Sequence, residues 1–181
     1  MNASYDVSAQ GLPAITGQMT LTPSLGSGST GTAASDLAGY PLPYPGILPD
    51  HPLYFLKQLR DFILEHAVSD PDKRVEFHIL QSDKNLVMAM EMADLGKWQY
   101  AERAAAAAAS HRNKAYLWLV SQRSAGQPAP PYLIDRLVRS VAKHLEILSG
   151  LLRAQANSPA WRSYFTEAGE LEVKLTELPR D

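Results

Sequence analysis

Residues 49–60 read PDHPLYFLKQLR and mark the point at which helical sequence begins. The second proline of this stretch fits the first turn of a helix, and Asp50 is of a type that caps helix N-termini. Apolar residues then recur at helical spacing, at Leu53, Phe55, Leu56, Leu59, Phe62 and Ile63. We expect Tyr54 and Phe55 to anchor this helix to a bundle and Lys57 to point its charge outward.

Four further helices are predicted downstream, each separated from the next by turn or breaker residues. The first helix should end near Ala67, and the second should run from the cap at Asp70 to Gly96. A third helix, from about residue 98 to 123, contains the alanine run 104–109, which favours close helix packing. The fourth follows the break at residues 125–131 and the fifth follows Asn157-Ser158-Pro159. No strand-like alternation appears after residue 50, so we predict an all-α bundle of about five helices.

Residues 1–47 have a different composition from the rest of the chain. They contain no Lys or Arg and are rich in Ser, Thr, Gly and Pro, which is typical of a flexible segment. We therefore predict a disordered N-terminal leader at 1–47 and a single α-helical bundle domain at 48–181. Residues 26–31 spell G-x-G-x-x-G, but the sequence that follows has no second strand of a βαβ unit, no suitable acidic residue after one and no P-loop lysine, so we interpret them as linker. Pairing of the leader with a partner as one or two strands is the alternative.

Composition excludes several classes of function. The formal net charge of −2 argues against a general nucleic-acid binder, and the absence of cysteine excludes disulfides and thiolate sites. No apolar stretch is long enough for a transmembrane segment. The N-terminus also lacks the basic and apolar segments of a signal peptide, so either the protein is cytosolic or a leader has been removed.

The histidines do not form a recognisable metal or catalytic motif. None of His51, His66, His78, His111 and His144 has a Glu three positions before it, so the di-iron bundle pattern is absent. Glu65, His66, His78 and Asp83 could converge on a metal if the first two helices pack antiparallel. A single His on each helix is more typical of a surface or core residue. We assign no catalytic, cofactor-binding or metal residues and predict no enzyme.

Two sets of apolar residues have more than one interpretation. An adaptable apolar groove or ordinary core is indicated by Met88, Met90, Met92, Trp98 and Trp118. Packing within the bundle or a symmetric self-association surface is indicated by the stripe at Tyr164, Ala168, Leu171, Leu175 and Leu178.

Two short motifs resemble those of a known family. The first is carried by Pro49, Asp50, Pro52, Tyr54, Leu56 and Lys57. The second, in the turn before the second predicted helix, is carried by Asp70, Pro71, Lys73 and Arg74. Both are similar to motifs of a bacterial family known as domain of unknown function 5667, over residues 43–120. The chain departs from the family pattern at residues 84–89, and its helices after residue 131 have no counterpart in the resemblance.

The resemblance implies a secreted or envelope-associated helical domain, and it implies no activity. We therefore expect a non-enzymatic, extracytoplasmic interaction module of the bacterial cell surface or envelope. Its partner would be another protein or a further copy of the chain, with no nucleic acid and no cofactor. The alternative is a carrier that holds a small molecule or a metal between its helices.

Overall fold

The computed structural model describes residues 39–127 and 129–179. Within these residues there are five α-helices and no strand. The helices are α1 (Tyr54–Ala67), α2 (Pro71–Asp94), α3 (Trp98–Ser124), α4 (Pro131–Ala154) and α5 (Pro159–Thr176). The predicted all-α bundle of about five helices is thus confirmed.

The helix boundaries follow local signals at some ends and tertiary contacts at others. The Asp70 carboxylate accepts hydrogen bonds from the backbone N–H groups of Asp72 and Lys73, at 2.9 and 3.2 Å, and so caps α2 as predicted. Gly96 takes a positive φ of 71° just after α2, where a side chain would be strained. The expected cap by Asp50 is wrong, because α1 begins at Tyr54 without a side-chain cap and Asp50 pairs with Lys97 instead.

Helix α2 runs through the middle of the bundle and contacts α3 and α4. Small residues on α3 allow its backbone to approach α2 closely, since Ala101, Ala104, Ala105 and Ala108 are at most 3% exposed. At this contact the Ser82 hydroxyl on α2 donates a hydrogen bond to the Ala108 carbonyl over 2.8 Å. The alanine run is therefore a helix–helix contact, as its composition predicts.

The apolar stripe of α5 is covered within the monomer. Ala168, Leu171 and Leu175 are 0%, 4% and 0% exposed. Tyr164 packs against the core cluster that contains Ala168, and Leu178 packs against the cluster that contains Leu171 and Leu175. Of the two interpretations of this stripe, packing within the bundle is the one that holds.

The methionine and tryptophan set is also mostly core. Met88 and Met92 are fully buried, and Trp98 packs against their cluster. Trp118 lies under the Arg74 guanidinium, 4.8 Å from its ring centroid. Met90 and Trp118 are partly buried, so ordinary core is the interpretation that holds for Met88 and Met92.

The structure describes only the end of the predicted leader. Tyr40 lies against the bundle, where its hydroxyl donates a hydrogen bond to Asp83 over 2.7 Å, and Pro45 is buried. The remainder, residues 1–38, lies outside the described residues. The division into 1–47 and 48–181 stays a prediction.

Candidate interaction surface

Helix α1 turns its apolar side to solvent and its polar side to the bundle. The residues that face inward, at i, i+3 and i+4 spacing, are Tyr54, Lys57, Asp61 and Glu65. Six large apolar residues of α1 are exposed. Leu64 (43%) lies apart from the others, and the remaining five form what we name the outer face of α1: Phe55 (60% exposed), Leu56 (48%), Leu59 (54%), Phe62 (59%) and Ile63 (55%). Most helices on a protein surface have the reverse arrangement.

Two expectations from the sequence are therefore wrong. Phe55 does not anchor the helix, because more than half of its surface is exposed. Lys57 does not point outward, because it is only 7% exposed. Tyr54 alone behaves as expected, since it is half-buried and packs against a core cluster.

The inward orientation of Lys57 has identifiable partners. Its ammonium lies 3.4 Å from an oxygen of Asp61, 3.9 Å from the sulfur of Met88 and 5.4 Å from the centre of the Tyr54 ring. Burial lowers the pKa of Lys57, and the neighbouring Asp61 carboxylate opposes that shift. The charge is therefore compensated beneath the helix and cannot reach solvent.

The bundle surface beneath α1 is polar, which explains the orientation of the helix. Lys114 on α3 binds the Glu65 carboxylate over 2.6 Å. A cavity of about 210 Å³ beside Glu65 is lined on the bundle side by Gln81, Asn85, Ala107 and His111, and on the α1 side by the inward residues and by part of Phe62. With its apolar side inward, α1 would remove the Glu65 partner of Lys114 and would place apolar side chains against these polar groups, which is unfavourable.

A pair of histidines lies close to the same cavity. The Nδ1 atoms of His78 on α2 and His111 on α3 are 3.0 Å apart, so one ring donates and the other accepts. Burial lowers the pKa of His78 to about 4, and the adjacent His111 acts in the same direction. Burial also lowers the pKa of His111, with Lys114 as the next cause. Both rings are therefore neutral at pH 7.

On the far side of α2, Asp83 is the centre of a buried polar network. It accepts hydrogen bonds from the hydroxyl groups of Tyr40 and Ser140, at 2.7 and 2.5 Å, and its Oδ1 lies 3.0 Å from Nε2 of His144. The other ring nitrogen of His144 is 3.4 Å from the Arg112 guanidinium. Since an arginine only donates, His144 carries its proton on Nε2 and gives it to Asp83.

This Asp83 network does not have the geometry of a hydrolase triad. In such a triad the carboxylate binds Nδ1 of the histidine and leaves Nε2 free to take the proton of the serine. Here Asp83 binds Nε2, and Ser140 directs its own hydroxyl to the same carboxylate. Ser140 and His144 are 0% exposed. These hydrogen bonds join α2 to α4 within the core, and they leave no general base for the serine.

The four residues considered as a metal site do not come together. His66 is exposed and hydrogen-bonds the Phe62 carbonyl of its own helix, and Asp83 belongs to the network on the other side of α2. In the part of the chain that the structure describes, no group of three potential ligands could hold a metal ion.

Sequence reasoning identified the apolar residues of α1 and placed them on the wrong side. The available signal was the second stripe of the same helix, Tyr54, Lys57, Asp61 and Glu65, which has equally good helical spacing. It also missed the buried network, for which the spacing of Ser140 and His144 by four positions was the only local sign.

Comparison with protein-family models, with curated proteins and with solved structures finds no match to this chain. The resemblance to domain of unknown function 5667 thus stays a prediction. Among the described helices, none has both the length and the apolar character needed to cross a membrane.

Proposed function

We propose that this chain is a non-enzymatic interaction module that binds a protein partner through the outer face of α1. The observation that carries the proposal is the exposure of Phe55, Leu59 and Phe62, which are between 54% and 60% exposed on one side of one helix. A contiguous apolar patch of this kind is typical of a surface that another macromolecule covers. An apolar helix face with i, i+3, i+4 and i+7 anchors is also a common element of protein recognition.

The charges of α1 favour a protein partner over a lipid surface. Helices that lie on membranes carry lysines and arginines on a polar face that reaches the headgroups. In α1 the cations Lys57 and Arg60 are balanced by Asp61 and Glu65, and the polar side is turned to the bundle. A membrane would therefore receive the apolar face without the electrostatic contribution that such helices use.

We further propose that the module acts outside the cytoplasm, at the bacterial surface or envelope. This part of the proposal is supported by the resemblance carried by Pro49, Pro52 and Tyr54 and by the turn at Asp70 and Pro71. Fractionation of the source cells tests it: the protein should be found in the envelope or secreted fraction. Recovery in the cytosolic fraction alone would contradict the location without affecting the surface.

Site-specific photo-crosslinking in the source cells tests the interaction itself. A photoreactive residue at Leu59 or Ile63 should be crosslinked to one and the same protein, because both positions lie on the outer face of α1. The matched control is Leu117 on α3, an apolar residue that is 62% exposed on a different helix. Equal crosslinking from Leu117 and from Leu59, or none from Leu59, would refute the proposed function.

A further inference from the structure

We infer that the partner of the outer face of α1 is a second copy of this chain, bound with the two α1 helices antiparallel and crossing at Leu59. This inference deepens the proposed function and rests on it, because it names the occupant of the same surface. It is carried by the symmetry of the apolar residues, by the charges that flank them and by the area they offer.

The spacing of the apolar residues on the outer face of α1 is the same when the helix is followed in either direction. Its members lie at positions 55, 56, 59, 62 and 63, which are symmetric about 59. In an antiparallel pair centred on Leu59, Phe55 therefore meets Ile63 of the second copy and Leu56 meets Phe62. A two-fold interface requires this kind of self-complementarity, in which residue i contacts j and j contacts i.

The charges of the helix are compatible with the same arrangement. On the solvent side of α1, reversal about position 59 places Arg60 of one copy at the level of Gln58 of the other, whereas Lys57 and Asp61 are turned to the bundle and take no part in the interface. No two like charges are brought to the same level along the helix. A parallel pair would instead place Arg60 beside Arg60, and like-charge contacts disfavour an interface.

The apolar area is sufficient for a small, specific dimer. The five side chains are between 48% and 60% exposed. Since a large apolar or aromatic residue can bury about 150–250 Å², the outer face supplies on the order of 500 Å² from each copy. The two copies together would bury about 1,000 Å², which is at the lower end of specific interfaces. We therefore expect a dimer that dissociates on dilution.

Because this 181-residue chain contains no cysteine, the arrangement can be tested directly in the whole chain. Leu59→Cys should form a disulfide-linked dimer under mild oxidation, because the two copies of residue 59 meet at the symmetry axis. A mixture of Phe55→Cys and Ile63→Cys should give the mixed dimer, in lower yield because the helices diverge from their crossing point. Phe55→Cys alone should give none. Its two sulfurs would be separated by the length of eight helical residues, about 12 Å, beyond the roughly 7 Å between Cα atoms that a disulfide tolerates.

Circular dichroism and sedimentation provide the controls for these variants. Each variant should retain the helicity of the parent by circular dichroism, since all three positions are exposed. Sedimentation should give a dimer at high concentration, and Leu59→Glu should give a folded monomer. Efficient crosslinking of Phe55→Cys with itself would refute the antiparallel arrangement.

A protein that stays monomeric and gives no Leu59→Cys dimer would overturn the inference altogether. Dimers that form only after residues 1–38 are removed would also overturn it, and would assign the surface to that segment. In both cases the proposed function survives if Leu59 is photo-crosslinked in cells to a different protein. It fails together with the inference if Leu59 is crosslinked to nothing.

Discussion

At the scale of single residues, Asp83 joins segments that are far apart in the sequence. No local sequence pattern around Asp83 indicates this role. Its carboxylate, 2% exposed, receives hydrogen bonds from Tyr40 before α1 and from Ser140 and His144 on α4. Since Asp83 itself lies on α2, one side chain joins the N-terminal segment to two helices of the core. Buried groups of this kind are costly to leave unpaired.

Replacement of Asp83 should therefore destabilise the fold strongly. We expect Asp83→Ala to lower the free energy of unfolding by about 3–5 kcal/mol, because two buried donors, Ser140 and His144, and the half-buried Tyr40 hydroxyl lose their acceptor at once. Ser140→Ala is the matched control, and it should cost only about 1 kcal/mol because Asp83 and His144 remain paired. Urea denaturation at pH 7 measures both. Equal costs for the two variants would show that Asp83 is not the centre of the network.

The buried histidines predict that the protein loses stability in acid. Burial lowers the pKa of His78 to about 4 and also lowers the pKa of His111 and of His144 below the usual 6.5. Below pH 6.5 the unfolded chain therefore binds more protons than the folded one, so stability falls with falling pH. The decline should be present between pH 6.5 and about 4, where His78 becomes protonated in the fold.

A pH series of urea denaturations checks the contribution of His78. His78→Gln keeps a side chain that can hydrogen-bond His111 but cannot be protonated. The variant should show a shallower loss of stability between pH 6.5 and 4, with a constant difference from the parent above pH 7. An identical slope in parent and variant would mean that His78 does not contribute.

At the scale of the element, the orientation of α1 decides which of its two sides is exposed to solvent. Tyr54 and Phe55 are adjacent in the sequence and aromatic, and they have opposite environments: Tyr54 packs on the core, whereas Phe55 is 60% exposed. We expect Tyr54→Ala to destabilise the monomer by about 1–3 kcal/mol and Phe55→Ala by less than about 0.5 kcal/mol. Thermal unfolding at low protein concentration measures both, and the reverse order would mean that α1 is turned the other way.

Helix α3 offers a second pair of adjacent residues in opposite environments. Ala105 is 2% exposed at the close contact with neighbouring helices, whereas Ala106 is exposed. Ala105→Leu should cost about 1–3 kcal/mol because the added atoms overpack the contact, while Ala106→Leu should be close to neutral. Urea denaturation distinguishes them. A neutral Ala105→Leu would indicate that the helices are not in close contact there.

Helices α1, α2 and α3 illustrate how far the sequence predicts the structure. The cap at Asp70, the stop at Gly96 and the packing role of the alanine run could be predicted because each depends on residues near in the chain. The orientation of α1 could not, because it depends on the polar surface that α2 and α3 place beneath it, including His111 and Lys114. The partners of Asp83 were missed for the same reason, since Ser140 and His144 lie 57 and 61 positions away.

At the scale of the whole molecule, the described residues form one compact unit that buries the α5 stripe and the methionine cluster but leaves the outer face of α1 uncovered. Because Leu171 and Leu175 are buried, the apolar stripe of α5 is not accessible to a partner, whereas the outer face of α1 is accessible. Helix α1 therefore combines polar contacts with the bundle on one side with an exposed apolar surface on the other.

Hydroxyl-radical footprinting at a concentration where the protein sediments as a monomer tests this account most directly. The account predicts rapid oxidation of Phe55, Leu59 and Phe62, at rates comparable to that of the exposed Leu117, and much slower oxidation of Tyr54. Protection of Phe55, Leu59 and Phe62 in the monomer, with rapid oxidation of Tyr54, would contradict it, because α1 would then turn its apolar side to the bundle.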